Sequence, residues 1–148
     1  MSVKPVAAQA GRGLSESSRV FRYLIIGGVG FAIDGGILSL LVNGVGLGPF
    51  VSRVPSFLTA VTVTWWFNRK HTFGGLDRHS PGVQYSRYIF AQICGALANL
   101  AVYAAAIAAF AVCARFPITA LALGAVAGLV VNYILVRVFV FPGAAKAT

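Results

Sequence analysis

One carboxylate, Asp34, sits inside an apolar run, and no other acidic residue does. It lies 12 residues past Arg22, about 18 Å along a helix. Asn99 lies 12 residues past Arg87, at the same depth. An ionisable group near the middle of a bilayer costs about 2.5–3.5 kcal/mol on insertion scales and marks a functional candidate. Such a carboxylate can bind hydroxyl groups, carry a proton or pair with Asn99. The structural alternative is a hydrogen bond between neighbouring helices. Asn68 and Asn132 extend the set to a polar path, with Asn132 serving equally as glue between helices.

A second set is cationic. Arg22, Arg69, Lys70, Arg87 and Arg137 flank the apolar runs and are predicted to form a collar at one membrane face. Arginine holds phosphate by bidentate hydrogen bonds and a permanent charge, so the collar suits an anionic lipid head. Plain orientation of the chain in a membrane places cations there too. Small residues four apart, Gly124-x-x-x-Gly128-x-x-x-Asn132 and Gly28-x-x-x-Ala32-x-x-x-Gly36, predict close helix packing. Catalytic sets are missing from the sequence, so no enzyme, cofactor or metal is expected. His71 and His79 lack metal-ligand neighbours, and no carboxylate pair is available. Gly28-Val29-Gly30 has Ile33 where a dinucleotide loop needs its third glycine.

The elements that must carry these residues follow from composition. Of 148 residues, 58% are hydrophobic and 10% charged, with a mean hydropathy of +0.83. Soluble domains carry about 25% charged residues, which excludes a soluble enzyme. The net charge of +9 lies between apolar runs, so it predicts membrane orientation rather than nucleic-acid binding. The runs are 23–43, 50–67, 88–112 and 118–136. Each reaches or approaches the ~20 residues that a spanning helix needs. The expected fold is therefore an all-α membrane protein of four transmembrane helices. Residues 1–21 are expected as a mobile cytosolic tail ending in a surface turn at 15–20, residues 22–142 as the membrane domain, and 143–148 as a short tail. Ten of the 12 basic residues fall on the side of the termini and the 74–86 loop, which predicts both termini in the cytoplasm. Cys94 and Cys113 share the third run. In one helix they would stand roughly 28 Å apart, too far for a disulfide.

The two halves resemble each other. Arg22-Tyr23-Leu24-Ile25 matches Arg87-Tyr88-Ile89-Phe90 at an offset of 65, with Gly30 meeting Gly95 and Asp34 meeting Asn99. Residues 65–73 match 133–141 at an offset of 68, sharing an aromatic, then Arg, then Phe at equal spacing. This predicts two parallel two-helix repeats related by an axis along the membrane normal.

Phe21-Arg22-Tyr23, the Gly-Gly-Val-Gly-Phe-Ala-Ile-Asp stretch ending at Asp34, and Asn68-Arg69-x-x-Thr72-Phe73 resemble the GtrA-like family over about residues 19–142. That family is related to the membrane region of dolichyl-phosphate mannose synthases. His71 stands where family members commonly carry Trp. The resemblance implies a multi-pass protein of the cell inner membrane in cell-surface polysaccharide biosynthesis. It would be a flippase for polyprenyl-phosphate-linked sugars, or an accessory of their translocation. The collar would hold lipid phosphate, and Asp34, Asn68, Asn99 and Asn132 would line the sugar or proton path. Expected partners are the polyprenyl-phosphate-linked sugar, membrane lipid, a membrane glycosyltransferase and a second copy of the chain, with no nucleic acid. The alternatives are a small multidrug-type proton antiporter, to which Asp34 would supply the carboxylate, and a membrane scaffold for a glycosyltransferase.

Overall fold

The computed structural model describes residues 14–74 and 79–145, with the side chains of 144 and 145 left aside. Most of the expected N-terminal tail, Arg78 of the basic loop and the last three residues lie outside this range. Among the described residues all regular structure is helical. The chain divides into two units, one reaching His79 and including Gly143 onward, the other Ser80–Pro142.

In the first unit, α1 (Glu16–Ser39) packs on α2 (Pro49–Phe67). Ser15 caps α1, its hydroxyl accepting the Ser18 amide at 3.3 Å. Residues 16–20, expected as a surface turn, are thus the first turn of the helix. The serine satisfies an amide that would otherwise lack a partner. Each helix continues into a wider turn with i→i+5 hydrogen bonds: π1 (Leu40–Gly44) after α1 and π2 (Asn68–Thr72) after α2. Ser52, Ser56, Ala60 and Thr64 are buried at every fourth position of α2. Gly30 of α1 meets the Thr64 methyl so closely that a Cβ there would overlap it.

In the second unit, α3 (Pro81–Ala109) packs on α5 (Pro117–Leu135), which continues into π3 (Val136–Val140). A Cβ on Gly128 would stand 2.7 Å from the Gly95 carbonyl oxygen, and one on Gly124 2.6 Å from that of Asn99. The Gly124–Gly128 stripe is therefore a backbone-to-backbone seam, as small residues permit. The stripe expected at Gly28, Ala32 and Gly36 is exposed, with no atom within 4 Å of a Cβ at either glycine. It is Gly30, two residues from Gly28 and on another face of α1, that packs on α2.

The third run differs from its expected single helix. The helix starts at Pro81, with proline at its first position, where its missing N–H is not needed. It therefore takes in residues expected in the 74–86 loop. It breaks at Phe110, which is extended at φ −121° and ψ 118°. A short helix, α4 (Ala111–Arg115), follows and carries Cys113, buried against Ala106 and Ala120. Both cysteines are free.

Corresponding positions behave alike within each unit. Tyr23 and Tyr88 are buried, as are Phe73 and Phe141. The π2 and π3 turns close with the same bond, Phe73 N–H to the Asn68 carbonyl at 2.8 Å and Phe141 N–H to the Val136 carbonyl at 2.9 Å.

Candidate functional site

The Asn68-Arg69-x-x-Thr72-Phe73 element is the π2 turn itself. Thr72 Oγ1 donates to Asn68 Oδ1 at 3.0 Å, and Asn68, Thr72 and Phe73 are buried. Arg22 of α1 clamps the end of the turn, its Nη1 donating to the His71 carbonyl at 2.9 Å. Arg87 does the same in the second unit, reaching the Phe139 carbonyl at 3.1 Å and lying 4.5 Å over the Phe139 ring. The final carbonyls of a helix lack intrahelical donors and carry partial negative charge, which is what an arginine supplied from the neighbouring helix satisfies.

The five expected collar residues therefore divide. Arg22 and Arg87 each spend an N–H on a π-turn carbonyl. Arg69 lies 5.6 Å from the Trp65 ring and the Lys70 ammonium 4.9 Å from the Trp66 ring. Such stacking orients a cation over the ring face. Arg137 occupies the matching place on π3. The first unit also holds a cleft of about 170 Å³ between α1 and α2, lined by Ile25, Ile26, Val29, Val63, Thr64 and Phe67, and Phe67 is the last residue of α2 before the π2 turn that carries Arg69 and Lys70.

The polar set is dispersed. Asp34 Oδ2 receives Arg53 Nη1 at 2.6 Å. Asn99 lies against the glycine seam at Gly124 and Gly128. Asn132 donates to Gln92 Oε1 at 2.6 Å, acting as an inter-helix bond. Neither Arg53 nor Arg19 belongs to the candidate sets that the sequence defines. Arg19 is fully buried beside Glu16, at 3.6 Å. Its signal was the repeat, since the offset of 65 places it on Gln84, which is buried as well.

Among the described residues, three helical stretches are long and apolar enough to cross a membrane: Glu16–Gly44, Pro81–Ala109 and Pro117–Val140. With these spans and no strand among the described residues, the chain is an all-helical, multi-pass membrane protein. The family description "GtrA/DPMS, transmembrane domain" matches residues 22–142, and the chain belongs to that family. Membership points to a membrane function connected with lipid-linked sugars. No curated protein matches the sequence.

Proposed function

We propose that this chain translocates polyprenyl-phosphate-linked sugars across the cell inner membrane, alone or as the accessory of a membrane glycosyltransferase, in cell-surface polysaccharide synthesis. The observation that carries this reading is that the aromatic-stacked cations Arg69 and Lys70 follow directly on the end of α2, whose Phe67 lines an apolar cleft. A phosphate head needs the first and an isoprenoid tail the second. Arg22 and Arg87 serve mainly to hold the turns that carry Arg69, Lys70 and Arg137. The chain itself performs no catalysis in this scheme.

The same reading makes α2 a fourth span and places both termini in the cytoplasm. Hydroxyls lower the apolarity of α2, but they bond within the helix. Ser52 donates to the Gly48 carbonyl, Thr59 to Pro55, Thr62 to Leu58 and Thr64 to Ala60, all between 2.7 and 3.0 Å. Hydroxyls so bonded leave few polar groups unpaired in lipid. The matching contacts at offsets 65 and 68 support two parallel repeats.

The test is native mass spectrometry of lipids that copurify with the full chain. Wild type retains a polyprenyl-phosphate lipid, and Arg69→Ala/Lys70→Ala loses it while inserting normally. Equal lipid in the double variant would reduce the collar to an orientation signal.

A further inference from the structure

The Asp34–Arg53 pair is the feature that the collar scheme leaves unused. Arg53 stands four residues past the Pro49 start of α2, at the end of that helix away from the collar. Its side chain is 55% exposed, whereas that of Asp34 is 14% exposed. Asp34 Oδ1 is buried and has no hydrogen-bond partner. The carboxylate is therefore neutralised by one exposed side chain through one oxygen. No second charge is near on the elements packed against it. On α1 the nearest basic residue is Arg22, 12 residues away, and on π2 it is Arg69, 16 residues beyond Arg53. The π1 turn carries none.

The pair is also dispensable to the helix pairing. At the same offsets the second unit has Asn99 and Leu121, and its helices still pack closely. Fold alone does not call for an acid and a base here.

We infer that Arg53 is a phosphate-binding residue that changes partner. On this inference, which rests on the lipid-linked sugar reading, Arg53 leaves Asp34 for the phosphodiester of the lipid-linked sugar. In the same step Asp34 takes a proton from water. The guanidinium fork matches phosphate oxygens as well as it does a carboxylate. A carboxylate left buried without its cation is strongly disfavoured and protonates instead. The charges balance. Before binding, guanidinium and carboxylate sum to zero. Afterwards guanidinium and phosphodiester sum to zero beside a neutral carboxyl group. One phosphodiester anion and one proton enter together, and no net charge is added to the apolar region.

The experiment is titration calorimetry of the purified full chain in detergent with farnesyl phosphoryl glucose, whose phosphodiester keeps one fixed charge. Two buffers of different ionisation enthalpy report proton uptake. Wild type takes up on the order of one proton per molecule bound. Asp34→Asn binds as tightly or more tightly, with no uptake, because Arg53 is already released. Asp34→Asn/Arg53→Gln leaves no buried unpaired charge, so it folds, and it binds at least tenfold more weakly than Asp34→Asn. Arg69→Ala lowers affinity but keeps the proton. Binding by wild type without proton uptake, or uptake that persists in Asp34→Asn, overturns the inference and leaves the proposed function standing. Failure of wild type to bind the probe at all removes both.

Discussion

The glycines of this chain separate into two kinds, and the difference is one of distance. A Cβ on Gly128 would meet the Gly95 carbonyl oxygen at 2.7 Å. That neighbour is backbone and cannot rotate aside. Gly28 has nothing within 4 Å. Gly128→Ala should therefore destabilise by about 1–3 kcal/mol, the range for overpacking a tight contact. Gly28→Ala should be neutral or slightly stabilising, since alanine is the better helix former. Thermal unfolding in detergent checks both, and equal effects would contradict the seam. In the sequence both stripes read alike, because spacing gives which residues share a face but not which face meets a partner. The same limit hid Arg53. Its nearness to Asp34 depends on how α1 and α2 lie side by side, and the repeat offers no guide, because the second unit lacks both charges.

At the scale of elements, the π turns are what the family-like motif builds. Valines at 136 and 140 form the π3 turn without the Asn68–Thr72 hydrogen bond. The polar pair is therefore not required for the turn. The arginine clamp is common to both turns. Arg22→Ala and Arg87→Ala should each cost about 1 kcal/mol, the usual net value of a single hydrogen bond and a fitting one for exposed guanidiniums. Lysine should rescue position 87 only partly, because the guanidinium over Phe139 also stacks as a plane. The readout is thermal stability beside lipid copurification. A clamp residue lowers the first more than the second, and Arg69→Ala does the reverse. The apolar runs and the repeat made the four long helices legible in the sequence. Their ends were less so. A first-position proline set the start of α3 earlier than apolarity did, and the break at Phe110 falls inside an unbroken apolar run. Hydrophobic pattern reports burial in lipid or protein, but a bend in the backbone leaves little trace in it.

For the whole molecule the open quantity is the number of crossings and their direction. Three stretches are apolar enough to cross by composition, and an odd number would put the termini on opposite sides. The internally bonded hydroxyls of α2 argue for a fourth crossing. So does the charge distribution once the ion pair is counted. With four crossings Arg53 would lie on the sparsely charged side, where Asp34 offsets it, so it would exert little pull against the basic residues that the sequence assigns to the other. With four crossings, residue 46 in the turn between π1 and α2 lies outside, and residue 80 before α3 lies inside with both termini. In a background where Cys94 and Cys113 are replaced by alanine, a membrane-impermeant maleimide added to intact cells should label Gly46→Cys and spare Ser80→Cys. Permeabilising the cells should expose the second. If α2 instead lay along the surface, both positions would share a side and would be labelled together or not at all. Asp34→Asn adds a check on the charge argument. It would free Arg53 to act as an unpaired cation, and if the basic residues of the proposed cytoplasmic side set the orientation, the labelling pattern should stay the same. A flipped or mixed pattern in that variant would mean that orientation depends on the ion pair rather than on the collar.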